Sequence, residues 1–203
     1  DLASVTRAQV DATPVRCPDP DAAPRLTAAI EEARDAGDSV GGVIACVCRG
    51  LPPGWGEPVF DKLTALLARA MMSIPATRGF EVGEGFGAAR MRGSRHNDPF
   101  EAAPGGGIRP ASNRGGGIQG GISNGQPVFF RVAFKPVSTI SLPQPTVAFD
   151  GSPVVFEAKG RHDPCVLPRA VPVVESMAAL VLADAFLMQQ TQLIPRPESE
   201  SPS

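Results

Sequence analysis

The chain has 203 residues, of which 42% are apolar and 20% are charged, and its formal net charge is −2. This length corresponds to one domain or part of one, and the composition excludes a disordered chain and a membrane-embedded one. A mildly acidic chain also lacks the basic surface that nucleic-acid binding requires, so an anionic ligand would have to meet locally concentrated cations.

The first part of the chain predicts an αβ unit followed by a second helix. Asp19-Pro20 is typical of a helix start, because a capping carboxylate precedes proline at the first helical position. Gly37 is typical of a helix C-terminus, and the apolar residues between the two ends (Leu26, Ile30, Ala33) fall on one face of the helix. Residues 40–48 then predict a strand, and residues 61–71 a helix with a buried stripe.

The middle of the chain predicts short strands around a long loop. Residues 80–82 and 88–91 are short strand candidates separated by glycines. Residues 98–121 are rich in glycine and show little periodicity, which predicts a long loop of the kind that is either functional or disordered. Residues 128–134 (VFFRVAF) predict a strong strand.

The last part of the chain predicts a hairpin, a long helix and a tail. Residues 146–149 and 154–158 flank Asp150-Gly151, a dipeptide suited to a tight turn. Residues 172–190 predict a helix that is apolar almost all round and therefore central to the core. Its apolar part, residues 173–188, contains two acidic residues and is shorter than the ~20 residues of a membrane span. Residues 191–203 predict a disordered polar tail.

Helices and strands are mixed along the chain rather than strictly alternating, which predicts an α+β fold with antiparallel sheets. The four cysteines (Cys17, Cys46, Cys48 and Cys165) lack the paired CxxC spacing of a zinc site. We therefore expect buried, reduced thiols in a cytosolic protein, and no metal site.

A glycine-rich segment and two charged turns are the candidate binding sites. Residues 115–120 (GGGIQG) match GxGxxG, but they follow a loop and lead into a strand, unlike a dinucleotide fingerprint. They are either a flexible linker or a backbone that closely approaches a ligand. The turn at residues 135–139 offers a lysine, two hydroxyls and free amides to a phosphate.

The second charged turn is residues 160–165 (GRHDPC). Arg161 suits a bidentate grip on carboxylate or phosphate, and Asp163 beside cations can accept a proton. The turn at 135–139 is also explained by an ordinary strand-to-loop exit with solvated polar residues, and the turn at 160–165 by a surface ion pair. A thiol nucleophile formed by Cys165 with His162 is not supported by their spacing.

Taken in order, these segments resemble those of the chorismate synthase family. GGGIQGGISNGQPVFFRVAFKPVSTI (residues 115–140) is similar to the family's glycine-rich loop, strand and flavin-binding turn. GRHDPCVLPRAVPVVESMAALVLADAFL (residues 160–187) is similar to its C-terminal signature and core helix. GEPVFDKL, AMMSIPA and DSVGGV agree as well, so the resemblance extends in consistent order from about residue 15 to residue 190.

The resemblance implies the β-α-β sandwich of this family, usually a homotetramer, in the cytoplasm. It implies reduced FMN (FMNH2) as the cofactor and 5-enolpyruvylshikimate 3-phosphate as the substrate, which loses phosphate by anti 1,4-elimination to give chorismate. A flavin reductase, attached or separate, is a candidate source of the reduced flavin. Neither nucleic acid nor a membrane is an expected partner.

The resemblance also implies roles for individual residues. Asp163 matches an aspartate placed near flavin N5, and Arg161 an arginine that contacts flavin or substrate; these two are the expected catalytic residues. The expected cofactor-binding residues are Pro75, Ala76, Gly120, Lys135, Pro136, Val137, Ser138, Thr139 and Arg161. Two of them depart from the family pattern: Val137 stands where threonine is common, and Pro75 stands where other members have asparagine.

The chain starts with Asp1 and lacks the two histidines and the Arg-Ser-Ser/Ala motif of the family's N-terminal part. The resemblance therefore predicts the C-terminal part of one domain, covering residues 1–190, which alone binds FMN weakly and does not turn over. The alternatives are a catalytically silent assembly module and an unrelated flavin- or phosphate-binding domain. The last alternative would make the ordered set of signatures a coincidence.

Overall fold

The computed structural model describes residues 4–192, which divide into two compact units. Within these residues, unit 1 comprises residues 4–47, 71–81 and 130–175, and unit 2 comprises residues 48–70, 82–129 and 176–192. The helices are α1 (Arg7–Asp11), α2 (Ala22–Asp35), α3 (Leu63–Met72), α4 (Gly93–His96) and α5 (Leu167–Gln192). The strands are β1 (Gly42–Cys48), β2 (Thr77–Val82), β3 (Phe100–Ala102), β4 (Ile108–Pro110), β5 (Ile118–Gln119), β6 (Ile122–Ser123), β7 (Val128–Phe134), β8 (Gln144–Val147) and β9 (Pro153–Phe156).

The central sheet has the strand order β1-β7-β2. Along β7, Val128, Phe130 and Val132 are fully buried and alternate with half-exposed residues, as expected for a strand with one face on a core. The N–H of Lys135 donates to the carbonyl of Ala76, and the N–H of Gly83 to that of Phe129, so β7 and β2 are antiparallel. The prediction for residues 128–134 is confirmed, as is the mixed α+β class with antiparallel pairing.

The two predicted early helices form, and the buried stripe predicted for the second one is confirmed. In α3, Leu63, Leu67 and Met71 are fully buried at a spacing of four residues, which confirms its amphipathic pattern. The Asp19 carboxylate accepts hydrogen bonds from the N–H groups of Asp21 and Ala22, as a capping residue does, but α2 begins at Ala22, so Pro20 precedes the helix and is not its first residue. On the predicted apolar face of α2, Ala33 is buried whereas Leu26 is 46% exposed.

Two predictions for the middle of the chain are wrong because glycines make tight turns there. Residues 85–90 form a short 3-10 helix, not a strand, since the N–H of Gly87 donates to Glu84. Residues 98–121, expected to be a long loop, contain the antiparallel β3–β4 hairpin and strand β5, which pairs with β6 just beyond this range. The β3–β4 connection uses three consecutive positive-φ glycines, residues 105–107, which the composition alone could not distinguish from a linker.

The predicted hairpin around Asp150-Gly151 is confirmed, with Thr146 paired to Val154. Helix α5 begins at Leu167 rather than residue 172, so Pro172 is inside it, not at its start. Its buried residues (Ala170, Val174, Ala178 and Ala185) form one narrow face, while Leu180 and Leu187 are more than 60% exposed; the expectation of burial all round is wrong.

Helix α5 is also longer than expected. It is the one helix in the described part of the chain that is long and apolar enough to cross a membrane, although core helices of soluble proteins pass the same test. The helix has 26 residues, more than the ~20 that a membrane-spanning helix needs. Its length therefore does not exclude a membrane span, contrary to the argument made from the sequence. Of the predicted tail, Thr191 and Gln192 belong to α5, and residues 193–203 lie outside the described residues.

Candidate functional site

The turn after β7 lies beside the turn before β2, both in unit 1. The N–H of Lys135 donates to the carbonyl of Ala76 at 2.9 Å, so two of the predicted cofactor segments, residues 75–76 and 135–139, are adjacent. Ala76 has a φ of +70°, a left-handed conformation that an L-residue adopts at a cost of about 1–2 kcal/mol. The buried hydroxyl of Thr77 donates to the carbonyl of Ile74 at 2.7 Å and braces this strained turn.

Two consecutive residues before β1 connect the turn at 135–139 to the corner at 160–165. The hydroxyl of Ser39 donates to the carbonyl of Val137 at 2.7 Å. The N–H of Val40 donates to the carbonyl of Pro164 at 2.8 Å. Because adjacent Cα atoms are only about 3.8 Å apart, both segments meet at one point on the chain. The structure thus brings together two segments of unit 1: residues 135–139, the lysine turn, and residues 160–165, the Arg161/Asp163 corner.

Gly41 permits this close approach. A Cβ atom at Gly41 would lie 2.4 Å from the carbonyl oxygen of Phe134 and 3.0 Å from Cδ of Pro136. At Gly42 it would lie 2.6 Å from a methyl group of Leu167. Sequence reasoning did not single out residues 39–42 as site residues. The signal was available in the Gly-Gly pair that interrupts an otherwise strand-like run, since glycine in a strand marks a close backbone approach.

The two predicted cations of unit 1 are available to a ligand. Within residues 4–192, neither Lys135 nor Arg161 has a carboxylate partner, and the ammonium of Lys135 contacts only the carbonyl of Pro136, at 3.3 Å. Asp163, by contrast, forms an ion pair with Arg169 from the first turn of α5. That guanidinium is largely exposed, so the pair orients the carboxylate more than it stabilises the fold.

The corner does not contain an activated thiol. Burial raises the pKa of Cys165, which keeps the thiol protonated at neutral pH. The ring Nε2 of His162 lies 3.4 Å from the carbonyl of Ala158. No disulfide bond joins any of the four cysteines, and all four are only partly buried, so the expectation that they are buried is wrong.

Gly120 lies in unit 2, in the tight turn between β5 and β6. Gly120 and Gly121 both have positive φ, +61° and +94°. A Cβ at Gly121 would collide with the side chain of Lys62 at 2.3 Å, whereas a Cβ at Gly120 would meet nothing within 4 Å. The main chain at Gly120 therefore faces open space. Of the two interpretations of residues 115–120, the flexible linker is wrong, because this segment is hydrogen-bonded on both sides.

A buried carboxylate that sequence reasoning missed organises the same segment. One oxygen of Asp98 accepts hydrogen bonds from the hydroxyl of Ser112 (2.6 Å) and the N–H of Arg114 (2.8 Å), and the other from the N–H of Gly115 (2.8 Å). Burial alone would raise the pKa of Asp98, but these three bonds outweigh it and hold the pKa below its usual value. No feature of the local sequence marked Asp98.

Comparison with known proteins identifies the family. The model of the family described as chorismate synthase matches residues 2–187. The chain belongs to the chorismate synthase family. It is 58% identical over 192 residues to the chorismate synthase of Synechococcus sp. (strain JA-2-3B'a(2-13)), covering 95% of this chain and 50% of that protein. It is 54% identical over 187 residues to that of Opitutus terrae, covering 92% and 51%.

A solved structure also agrees with the chorismate synthase assignment. The structure described as the crystal structure of chorismate synthase superimposes with a TM-score of 0.69 at 35% identity, covering 86% of this chain and 45% of that one. The resemblance and the fold class deduced from sequence are therefore confirmed. The chain spans about half the length of the curated relatives it matches. The roles of individual residues stay predictions.

Proposed function

We propose that this chain carries part of the cofactor and substrate site of a chorismate synthase that uses reduced FMN. The reaction is the anti 1,4-elimination of phosphate from 5-enolpyruvylshikimate 3-phosphate, a lyase step of aromatic amino-acid biosynthesis in the cytoplasm. The observation that carries the proposal is that the lysine turn lies beside the Pro75-Ala76 turn, through the Lys135–Ala76 hydrogen bond, and is connected to the Arg161/Asp163 corner through residues 39–40. Residues 1–190 would form the C-terminal part of one family domain.

The residues present fit an anionic cofactor and an anionic substrate. The substrate carries two carboxylates and a phosphate, and FMN carries a phosphate. Lys135 and Arg161 offer positive charge that no carboxylate of the described residues neutralises, and Ser138 and Thr139 add exposed hydroxyl donors. Pro75 has no N–H, so the turn at 75–76 can contribute only its carbonyls, the Ala76 N–H and apolar surface.

The charged residues Lys135, Arg161 and Asp163 have proposed roles in the reaction that fit their surroundings. Bound reduced FMN would supply electron density while phosphate leaves. Lys135 and Arg161 would bind the departing phosphate and stabilise its growing charge. Asp163, oriented by Arg169, would assist proton transfer near the flavin. Gly120 is the proposed main-chain flavin contact, and a Cβ at this position would meet nothing within 4 Å.

The test is FMN binding and turnover by the purified chain under anaerobic conditions. We expect weak binding of dithionite-reduced FMN, weakened further by Lys135→Ala and by Arg161→Ala. Each charge-assisted contact corresponds to about tenfold or more in affinity. Arg34→Ala is the matched control, because Arg34 is an exposed arginine of unit 1 paired with Asp35. Unchanged affinity in both site variants would contradict the proposed site.

We also propose that the chain alone does not convert the substrate, because the family's two histidines and its Arg-Ser-Ser/Ala motif are absent from this sequence. Phosphate release and chorismate absorbance, measured with reduced FMN and substrate, check this. Formation of chorismate at an enzymatic rate by the 203-residue chain would refute it. In the cell, a flavin reductase would supply the reduced cofactor.

The second candidate function is an assembly module without catalysis. The observation that favours it is the exposed apolar surface of the β8–β9 hairpin, where Phe149, Val155 and Phe156 are all more than half exposed. Apolar groups in such numbers on one element favour association, and a homotetramer is the expected family assembly. Sedimentation velocity distinguishes the two, since a discrete, stable monomer at micromolar concentration contradicts the assembly module.

A further inference from the structure

The glycine-rich segment of unit 2 is wrapped around a carboxylate of the protein itself. Asp98 is 7% exposed and directly precedes the β3–β4 hairpin, whereas its three donors directly follow that hairpin. Consecutive main-chain N–H groups that converge on one point form an anion-binding concavity. Here the anion is already present as the Asp98 side chain, so the arrangement holds the loop and does not receive a ligand.

A second set of contacts fixes the same loop from the other side. The side chain of Asn113 accepts from the N–H of Gly117 at 2.5 Å and donates to the carbonyl of Pro127 at 2.8 Å. The guanidinium of Arg114 pairs with Glu84 at 3.1 Å. A Cβ at Gly83 would lie 2.1 Å from the carbonyl oxygen of Arg114, so only glycine fits against the loop there.

The far end of the segment is anchored as well, and one residue is left open. The carbonyl of Gly121 accepts from the N–H of Leu63 at 2.8 Å. The side chain of Gln119 reaches back to the main-chain carbonyl of Asp98 at 3.4 Å. Between these anchors, Gly120 faces open space. A rigid frame around one open main-chain position is the arrangement that a ligand contact requires.

We propose that Asp98 is a positioning residue for the cofactor: it clamps residues 112–115 and thereby holds the main chain of Gly120 in place for reduced FMN. This inference rests on the proposed function, because Gly120 is a flavin contact only there. Asp98 does not touch the cofactor and acts only through the loop. Protonation or removal of its charge would leave the N–H groups of Arg114 and Gly115 without a strong acceptor.

The experiment compares Asp98→Asn with the unaltered full chain by amide hydrogen exchange and by equilibrium dialysis of dithionite-reduced FMN. Asp150→Asn is the matched control, because Asp150 also accepts from a main-chain N–H and a hydroxyl, both of Ser152, in an exposed turn of unit 1. Ser112→Ala is the milder second variant, which removes one donor and keeps the charge. If Asp98→Asn does not fold, Ser112→Ala still tests the clamp by the same two measurements.

We expect Asp98→Asn to speed exchange in residues 112–121 by about tenfold or more, and to weaken FMN binding by a similar factor. Ser112→Ala should show a smaller change in the same residues, and Asp150→Asn none there. Unchanged exchange in residues 112–121 would overturn the clamp, as would an acceleration spread evenly over the chain. A loosened loop with unchanged FMN affinity would overturn its role toward the cofactor. Local loosening when neither protein binds FMN supports the clamp and counts against the proposed function.

Discussion

At the scale of single residues, the close contacts of the site depend on glycine, whose lack of a Cβ lets main-chain segments approach each other. Gly41 lies against the carbonyl of Phe134, and its neighbours in space are main-chain atoms and a proline ring, which cannot rotate away. The candidate ligand-binding residues were visible in the sequence because they carry charge. Ser39 and Val40, which join them, were not visible, because a hydroxyl and a main-chain N–H have no distinctive pattern; the Gly41-Gly42 pair was the available signal.

Gly41→Ala is expected to destabilise the chain by about 2 kcal/mol, since an inserted methyl group at 2.4 Å forces the backbone to shift. Gly93→Ala is the control, because Gly93 is in α4 and a Cβ there meets nothing within 4 Å. It should be neutral or stabilising by up to about 1 kcal/mol. Urea unfolding of both variants measures the difference, and equal midpoints would show that the contact at Gly41 is not tight.

Asp98 gives the stability of the chain a defined pH dependence. Its pKa is lowered in the folded state, so its contribution is complete above the unfolded value of about 4 and is lost as pH falls through the lower native value. Asp98→Asn should cost about 1–3 kcal/mol at pH 7, with the gap to the unaltered chain closing below pH of about 4. Urea unfolding at pH 7 and pH 3 tests this. A gap that widens on acidification would be the contrary result.

At the scale of elements, hydrophobic periodicity predicted a helix or strand correctly wherever large apolar side chains form its buried face. Strand β7 and helix α3 have such faces, and both formed close to the predicted bounds. The predictions failed where small residues decide the structure. Alanines are the buried residues of α2 and, together with Val174, of α5, and glycines form the β3–β4 turn. Alanine is compatible with either side of a helix, so its burial is set by tertiary packing that a single sequence does not reveal.

The buried stripe of α3 makes a sharp prediction with an adjacent control. Leu67 is fully buried, whereas its neighbour Leu66 is only half-buried. Leu67→Ala should destabilise the chain by about 2–5 kcal/mol, because it leaves a cavity that packed neighbours cannot fill. Leu66→Ala should cost clearly less. Thermal or urea unfolding of the pair checks the assignment, and equal losses would mean that the face is placed wrongly.

At the scale of the whole molecule, a sequence covering about half the length of its relatives was enough to identify the family. Several signatures in one order carried that identification, and the mixture of helices and strands along the chain predicted the α+β fold independently. Large apolar side chains are exposed on α5 and on the β8–β9 hairpin within the described residues.

The peptide link between Ser39 and Val40 has a mechanical consequence. The Ser39 hydroxyl binds the lysine turn at Val137, and the next main-chain N–H, that of Val40, binds the Arg161/Asp163 corner at Pro164. Loss of the serine hydroxyl would remove only the bond to the turn, whereas proline in place of Val40 would remove only the bond to the corner, because it eliminates the N–H. Substitutions at two adjacent positions would thus weaken the two attachments separately.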